Sequence, residues 1–268
     1  MKFIHITDPH LVTPGETLFD LDPYARLTAC IDDVVANHQD AALCVLTGDL
    51  AHRGEAAAYR GLATQLGRLP MPVFPLLGNH DDRENFVAAF PQAARDADGF
   101  VQSVHRGKEG DFIFLDTLQQ GTHGGLYCDS RCAWLRARLD EANTRSVFLF
   151  MHHPPFAIGI PALDAIALQQ PERFAHVVEG RRNIRHLFYG HVHRPVCGSW
   201  RGIPMSTMRG LNHQVPFDLR ARDDILESHE PPAYAVVLVD TDQVVVHFHD
   251  YLDRRTLVKA GDHYAYAS

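Results

Sequence analysis

Gly190-His191-Val192-His193 places two imidazoles one residue apart at the end of an apolar, strand-like run, 184–189. Side chains two apart in extended backbone point to the same side, so both rings can face one spot. Earlier stretches have the same form, an apolar run ending in ligand residue types: Asp8-Pro9-His10, Gly48-Asp49, Gly78-Asn79-His80-Asp81 and His152-His153-Pro154-Pro155. Asp8, His10, Asp49, Asn79, His152, His191 and His193 offer oxygen and nitrogen and no sulfur. That mix suits manganese, iron or zinc better than a thiol-held structural zinc. Seven ligands exceed what one four-coordinate ion takes. Two ions sharing a carboxylate fit the count, with Asp49, central in the set, as the bridge.

Such residues need elements that bring separate tips together. Residues 2–7 alternate as a strand, which Pro9 stops. Residues 22–37 carry Leu27, Ile31, Val34 and Val35 on one helical face behind an Asp22-Pro23 start. Residues 41–47 form a continuous apolar strand of the kind buried on both faces. Gly48 then allows a sharp turn and leaves Asp49 at the tip. A helix over 55–69, a strand over 73–77 and a helix over 83–90 follow. The β-α-β-α-β-α order predicts parallel strands joined by right-handed crossovers. Ligands in such folds bind beyond the carboxyl ends of the strands, where Asp8, His10, Asp49, Asn79 and His80 fall.

The second half adds strands over 100–104, 112–117, 146–151, 185–189, 196–200, 203–207, 234–239 and 244–249. Helices span 129–143, with Asp129 as cap, and 172–179. Residues 156–170 read as a loop or short helix over the site, or else as a core helix. Residues 218–232 read as an exposed excursion, and the polar tail after Asp253 has no assignment. Two mixed sheets packed together with helices outside is the simplest layered arrangement, an α/β fold.

The 268 residues, 46% of them hydrophobic, suffice for one domain with a small cap or oligomerisation excursion around 156–170 and 210–232. With 25 basic against 33 acidic residues the net charge is -8, so no global basic field attracts a nucleic-acid duplex. Eighteen histidines are consistent with a metal site. The five cysteines include no Cys-x-x-Cys pair. Cys44 reads as a buried thiol, and Cys128 and Cys132 as free thiols rather than a disulfide. The N-terminus opens directly as a strand, with no signal peptide and no long apolar run, so a soluble cytoplasmic protein with no membrane partner is expected.

The order Asp-x-His, Gly-Asp, Gly-Asn-His-Asp, a histidine after a later strand, and Gly-His-x-His resembles the calcineurin-like metallophosphoesterase family from Asp8 to His193. Gly78-Asn79-His80-Asp81-Asp82, Met151-His152-His153-Pro154-Pro155 and His213-Gln214-Val215-Pro216 look most like the bacterial class III cyclic-nucleotide phosphodiesterases and glycerophosphodiesterases. The resemblance implies a four-layer α/β/β/α sandwich. It implies one metal held by Asp8, His10, Asp49 and His193, and another by Asp49, Asn79, His152 and His191. The ions would be divalent or mixed-valence Mn, Fe, Zn or Co, with Mn or Fe favoured.

The activity expected is hydrolysis of small-molecule phosphodiesters, cyclic nucleotides or glycerophosphodiesters, by a metal-bridging hydroxide attacking phosphorus. His80, beside Asn79, is placed by the phosphate as proton donor or transition-state stabiliser, with Asp81 or Asp82 orienting it. His213 is placed as a second phosphate contact. A homo-oligomer, dimer or larger, is expected. A phosphomonoesterase, a protein phosphatase, a nuclease and a metal-free protein-binding scaffold are the alternatives. His5 reads as a satisfied core histidine, His153 as outside the metal shell or supporting it, and His247 and His249 as structural. His52 stands where protein phosphatases of this family carry aspartate, which sets Arg53 apart from theirs.

Overall fold

In the computed structural model, which describes residues 1–220 and 224–253, side-chain alternation sorts each central strand between two cores. In β1 (Lys2–Ile6), Ile4 and Ile6 face the helices while Phe3 faces a second sheet. β1 leads through α1 (Pro23–Asn37), β2 (Cys44–Leu46), α2 (Ala56–Leu66), β3 (Val73–Pro75) and α3 (Arg83–Ala89). β1, β2 and β3 pair in parallel, as the alternating pattern predicts. Asp22 caps α1, its side chain accepting the Ala25 N–H, and Leu27, Ile31 and Val34 are its buried stripe.

The second half runs β4 (Ser103–Arg106), β5 (Asp111–Phe114), β6 (Gly125–Leu126), α4 (Asp129–Ala142), β7 (Val147–Phe150), α5 (Pro161–Asp164), β8 (Leu168–Gln169), α6 (Pro171–Val178) and β9 (Ile184–Phe188). β10 (Val196–Trp200), β11 (Ile203–Thr207), β12 (Tyr234–Val239) and β13 (Val244–His249) complete it. One sheet has the order β13-β12-β1-β2-β3 and the other β10-β11-β9-β7-β5-β4. The first is antiparallel from β13 to β1 and parallel from β1 to β3, and the second is parallel in the middle and antiparallel at both edges.

Phenylalanines fill the space between the sheets: Phe3, Phe112, Phe114, Phe148, Phe150 and Phe188. The outer face of the first sheet packs on α1, α2 and α3, and that of the second on α4 and α6. These are the four layers α/β/β/α. Their shared polarity brings the carboxyl ends of β1, β2, β3, β7 and β9 to one rim.

Several local expectations shift. Cys128, not Asp129, is the N-cap of α4; Asp129 sits in the first turn and pairs with Arg173 at 2.9 Å. Residues 156–170 contain the short helix of the expected alternatives, α5, a single turn that leads into an unexpected strand, β8, paired with β6. The Arg201-Gly202 turn has positive φ at both residues, 50° and 82°, the geometry that matches hairpin twist. All five cysteines are free. Among the described residues no helix is long and apolar enough to cross a membrane. The tail after Asp253 and three residues of the 218–232 stretch lie outside the described residues.

Candidate metal centre

The rim residues reach one another through tight backbone. Asp8 (φ 51°), His10 (45°), Asp49 (48°), His191 (73°) and His193 (48°) all adopt the left-handed region. Non-glycine residues enter that region rarely and at some cost, so these turns are held by what surrounds them. Gly78 is one such support. A Cβ there would overlap Asp49 Oδ1 and the Asp49 backbone nitrogen.

The seven sequence-named ligand residues converge. Asp49 Oδ2 lies 3.4 Å from His10 Nε2 and 3.4 Å from His152 Nε2. Asp8 Oδ1 is 3.3 Å from His193 Nε2, which is 3.1 Å from His10 Nε2. Ligand atoms of Asp8, His10, Asp49 and His193 all fall within 4.8 Å of one another, a group able to hold a metal ion. On the other side of Asp49, His152 Nε2 is 3.1 Å from Asn79 Oδ1, and the His152 and His191 ring centroids are 5.1 Å apart. His191 Nε2 is buried with no hydrogen-bond partner among the described residues. An unpaired buried nitrogen costs about 1–3 kcal/mol. A cation would occupy its lone pair, so these residues fit the metals that the ligand set implies.

The other ring nitrogens are committed to orientation. His152 Nδ1–H donates to the Thr47 carbonyl at 2.7 Å, and His193 Nδ1–H to the His213 carbonyl at 2.8 Å. Each bond fixes the tautomer that leaves Nε2 for a cation. His10 Nδ1 faces His52 Nδ1 at 3.1 Å. Asp8 accepts from Thr7 Oγ1 at 2.5 Å and from the His191 N–H at 3.2 Å. Thr47 Oγ1 donates to Thr7 Oγ1 at 2.8 Å and stands 2.8 Å from His5 Nε2. Because a carboxylate only accepts, every proton in this chain points toward Asp8, and His5 is the terminal donor. Its Nδ1 is buried without a partner, so His5 is not the fully satisfied core histidine the sequence suggests.

Charges alternate across the centre. Burial pushes Asp49 up, but His152 and His80 outweigh it and hold the carboxyl well below its usual range. Burial likewise opposes His193 and then His152 at Asp8, and the imidazoles win. Burial pushes His152 and His193 down, yet Asp49 and Asp8 respectively carry each up to about 9. His191, where burial dominates and His152 adds to it, falls to about 3.

His80 is half-buried beside the centre. Its Nδ1–H donates to the His52 carbonyl at 2.8 Å, and its ring stacks on His52 with centroids 4.8 Å apart. Its backbone N–H donates to Asp49 Oδ1 at 2.9 Å. Neither Asp81 nor Asp82 orients the ring, contrary to the sequence expectation. Asp81 accepts from the Leu50, Ala51 and Gly78 N–H groups and from Tyr59 Oη, bracing the backbone of two tips. Asp82 caps α3, accepting from the Asn85 N–H. His153 has both ring nitrogens engaged, by Thr117 Oγ1 at 2.8 Å and the His123 carbonyl at 3.2 Å. Arg53 is exposed and paired with Glu16 and Glu55. His249 pairs with Asp33 on the edge strand β13, and His247 is exposed there.

A cavity of about 260 Å³ opens above the centre. Its floor includes Asp49, Asn79, His80 and His191; its walls include Phe19, Ile166, His213 and Glu227. His213 stacks obliquely near His10 and His193, with centroids 4.7 and 4.6 Å away. Burial, with His193 next, depresses its imidazole to about 2.

A sequence model of the calcineurin-like phosphoesterases matches residues 1–195. The chain belongs to this family. It is 45% identical over 250 residues to a protein of Rhodopseudomonas palustris named as a probable cyclic nucleotide phosphodiesterase, covering 92% of this chain and 91% of that one. It is 27% identical to a glycerophosphodiester phosphodiesterase of Enterobacter lignolyticus, covering 81% and 80% of the two chains. The fold superposes on a dimetal phosphatase of Danio rerio with a TM-score of 0.70, over 94% of this chain and 96% of that one, at 16% identity. Like the rest of the family, the chain has the makings of a dinuclear centre in its clustered ligand groups. Sequence reasoning missed Phe19, Thr7, Thr47, His52's carbonyl and Glu227. Only Thr7 and Thr47, each beside a ligand tip in the sequence, left a signal.

Proposed function

We propose that this chain is a metal-dependent phosphodiesterase acting on small phosphodiesters, cyclic nucleotides or glycerophosphodiesters. The observation that supports it best is Asp49 Oδ2 equidistant, at 3.4 Å, from one imidazole of each cluster. In this reading Asp8, His10, Asp49 and His193 hold one ion, and Asp49, Asn79, His152 and His191 the other. Manganese or iron suits the nitrogen and oxygen set, and zinc or cobalt also fits it. Such ions supply Lewis acidity toward phosphoryl oxygens and acidify water.

The protein groups do the rest. With Nδ1–H fixed on the His52 carbonyl, His80 gives or takes a proton at Nε2, toward the leaving alcohol oxygen. His213 contacts the phosphoryl group as a neutral imidazole. Leu163 and Ile166 from 156–170, and Val215 and Ile225 from 210–232, cap the cavity with apolar walls suited to a nucleobase or small alcohol. Exposed Phe217, Leu219 and Leu226 support association of copies through 210–232. Five free thiols suit a reducing, cytoplasmic setting.

The test is a panel of diesters and monoesters on manganese-loaded protein, including bis(p-nitrophenyl) phosphate and p-nitrophenyl phosphate. Diesters should turn over faster, and N79A should lose most of the activity. Preference for the monoester, or full activity in N79A, would overturn the reading.

A further inference from the structure

The cavity lining holds a carboxylate that the chemistry above does not use. Glu227 stands on the wall with its Oε2 3.4 Å from His213 Nε2 and its side chain 27% exposed. The strap that carries it is tied on several sides. The Gln214 and Ser228 backbones exchange hydrogen bonds at 2.9 and 2.7 Å, so His213 and Glu227 flank one short bridge. Glu230 accepts from Arg194 at 3.0 Å, and His229 donates to the Phe19 carbonyl across the mouth at 2.8 Å. Glu227 is therefore a placed group and not a loop-tip charge.

A carboxylate is an odd wall for an anion site. Asp49 already contributes one negative charge to the lining, and no lysine or arginine lines the cavity among the described residues. Burial raises the Glu227 carboxyl to about 7, and in its ionised form it would repel a phosphoryl group. Its useful neighbour is the uncharged alcohol portion of the substrate. The adjacent lining, Leu163, Ile166, Val215 and Ile225, takes carbon and offers no hydrogen bond. A carboxyl has about four lone-pair directions, and His213 occupies at most one.

We infer that Glu227 selects phosphodiesters whose alcohol carries a free hydroxyl, by accepting the hydrogen bond of that hydroxyl at the cavity wall. This rests on the phosphodiesterase reading above. It makes Glu227 a specificity residue.

The experiment compares matched substrates on manganese-loaded protein: 3′,5′-cyclic AMP with its 2′-deoxy analogue, and a glycerol diester with the corresponding propyl diester. The wild type should prefer the hydroxylated member of at least one pair at least tenfold in kcat/KM, chiefly through KM. E227A should abolish that preference. E227Q, whose amide oxygen still accepts, should retain part of it. A preference that survives in E227A, or none in the wild type, overturns the assignment, as does an equal loss on both members of each pair. Failure of the wild type to hydrolyse any diester would instead overturn the phosphodiesterase reading itself.

Discussion

The Nε2 atoms of His10 and His193 face each other at 3.1 Å. His193 has its Nδ1 hydrogen on the His213 carbonyl, and Asp8 and Asp49 carboxylates stand beside the pair. Two ring nitrogens aimed at one point need a cation or a proton between them. Binding of a divalent ion should therefore stabilise the fold. At a metal concentration 100-fold above Kd the gain is about 2.7 kcal/mol, worth roughly 5–10 °C in Tm for a chain of this size. Calorimetry with manganese and with chelator reads it. In H193A the shift should shrink sharply; an undiminished shift would place the ion elsewhere.

In the proposed reading His80 holds neither metal; its Nδ1–H is committed to the His52 carbonyl and its backbone N–H to the Asp49 carboxylate. H80A should leave metal content near that of the wild type and lower kcat by about 10²–10⁴-fold on an alkyl diester. The loss should be smaller with a p-nitrophenyl leaving group, because p-nitrophenolate departs without a proton. Equal losses on both substrates would show that His80 does not serve the leaving group.

The convergence of the candidate ligands could be read from the sequence because each follows an apolar run, and the parallel order sends those runs to one rim. What could not be read depends on contacts between distant segments. The Thr7–Thr47 bond joins residues 40 apart, and His52 acts on His80 through its carbonyl, which no side-chain pattern reveals. The strand expected at 100–104 lies instead at Ser103–Arg106. Phe100 lies outside the strand, with Arg131 over its ring at 4.3 Å. β6 and β8, two residues each, are too short to carry a periodic signal.

The hydrogen-bond chain from His5 through Thr47 and Thr7 to Asp8 predicts a separable effect on metal affinity. T7V keeps the side-chain shape and removes the donor to Asp8. It should weaken manganese binding about 10–100-fold, the usual cost of losing an outer hydrogen bond to a ligand. T47V should instead strand the His5 N–H and cost about 1–3 kcal/mol of stability. Metal titration and denaturant unfolding of the two variants separate the effects. Unchanged affinity in T7V would mean that the His191 amide alone sets Asp8.

Two buried histidines outside the ligand set, His5 and His186, add to the acid sensitivity that the depressed site imidazoles His191 and His213 also confer. Burial depresses His5 to about 3 and His186 to about 4, from an ordinary 6.5. The folded state thus favours their neutral forms, so stability is intact above pH 6.5 and is lost as pH falls toward those values. Each unit costs up to ~1.4 kcal/mol per group. Two units below 6.5 then remove ~5 kcal/mol, comparable with the whole stability of many domains. Measured in excess chelator, so that metal loss does not contribute, Tm should fall steeply between pH 6.5 and 4.5. His186→Gln keeps a partner for Ser206, which His186 contacts at 2.9 Å, and should make that fall shallower. A slope identical to the wild type would mean that His186 takes up no proton on unfolding in this range.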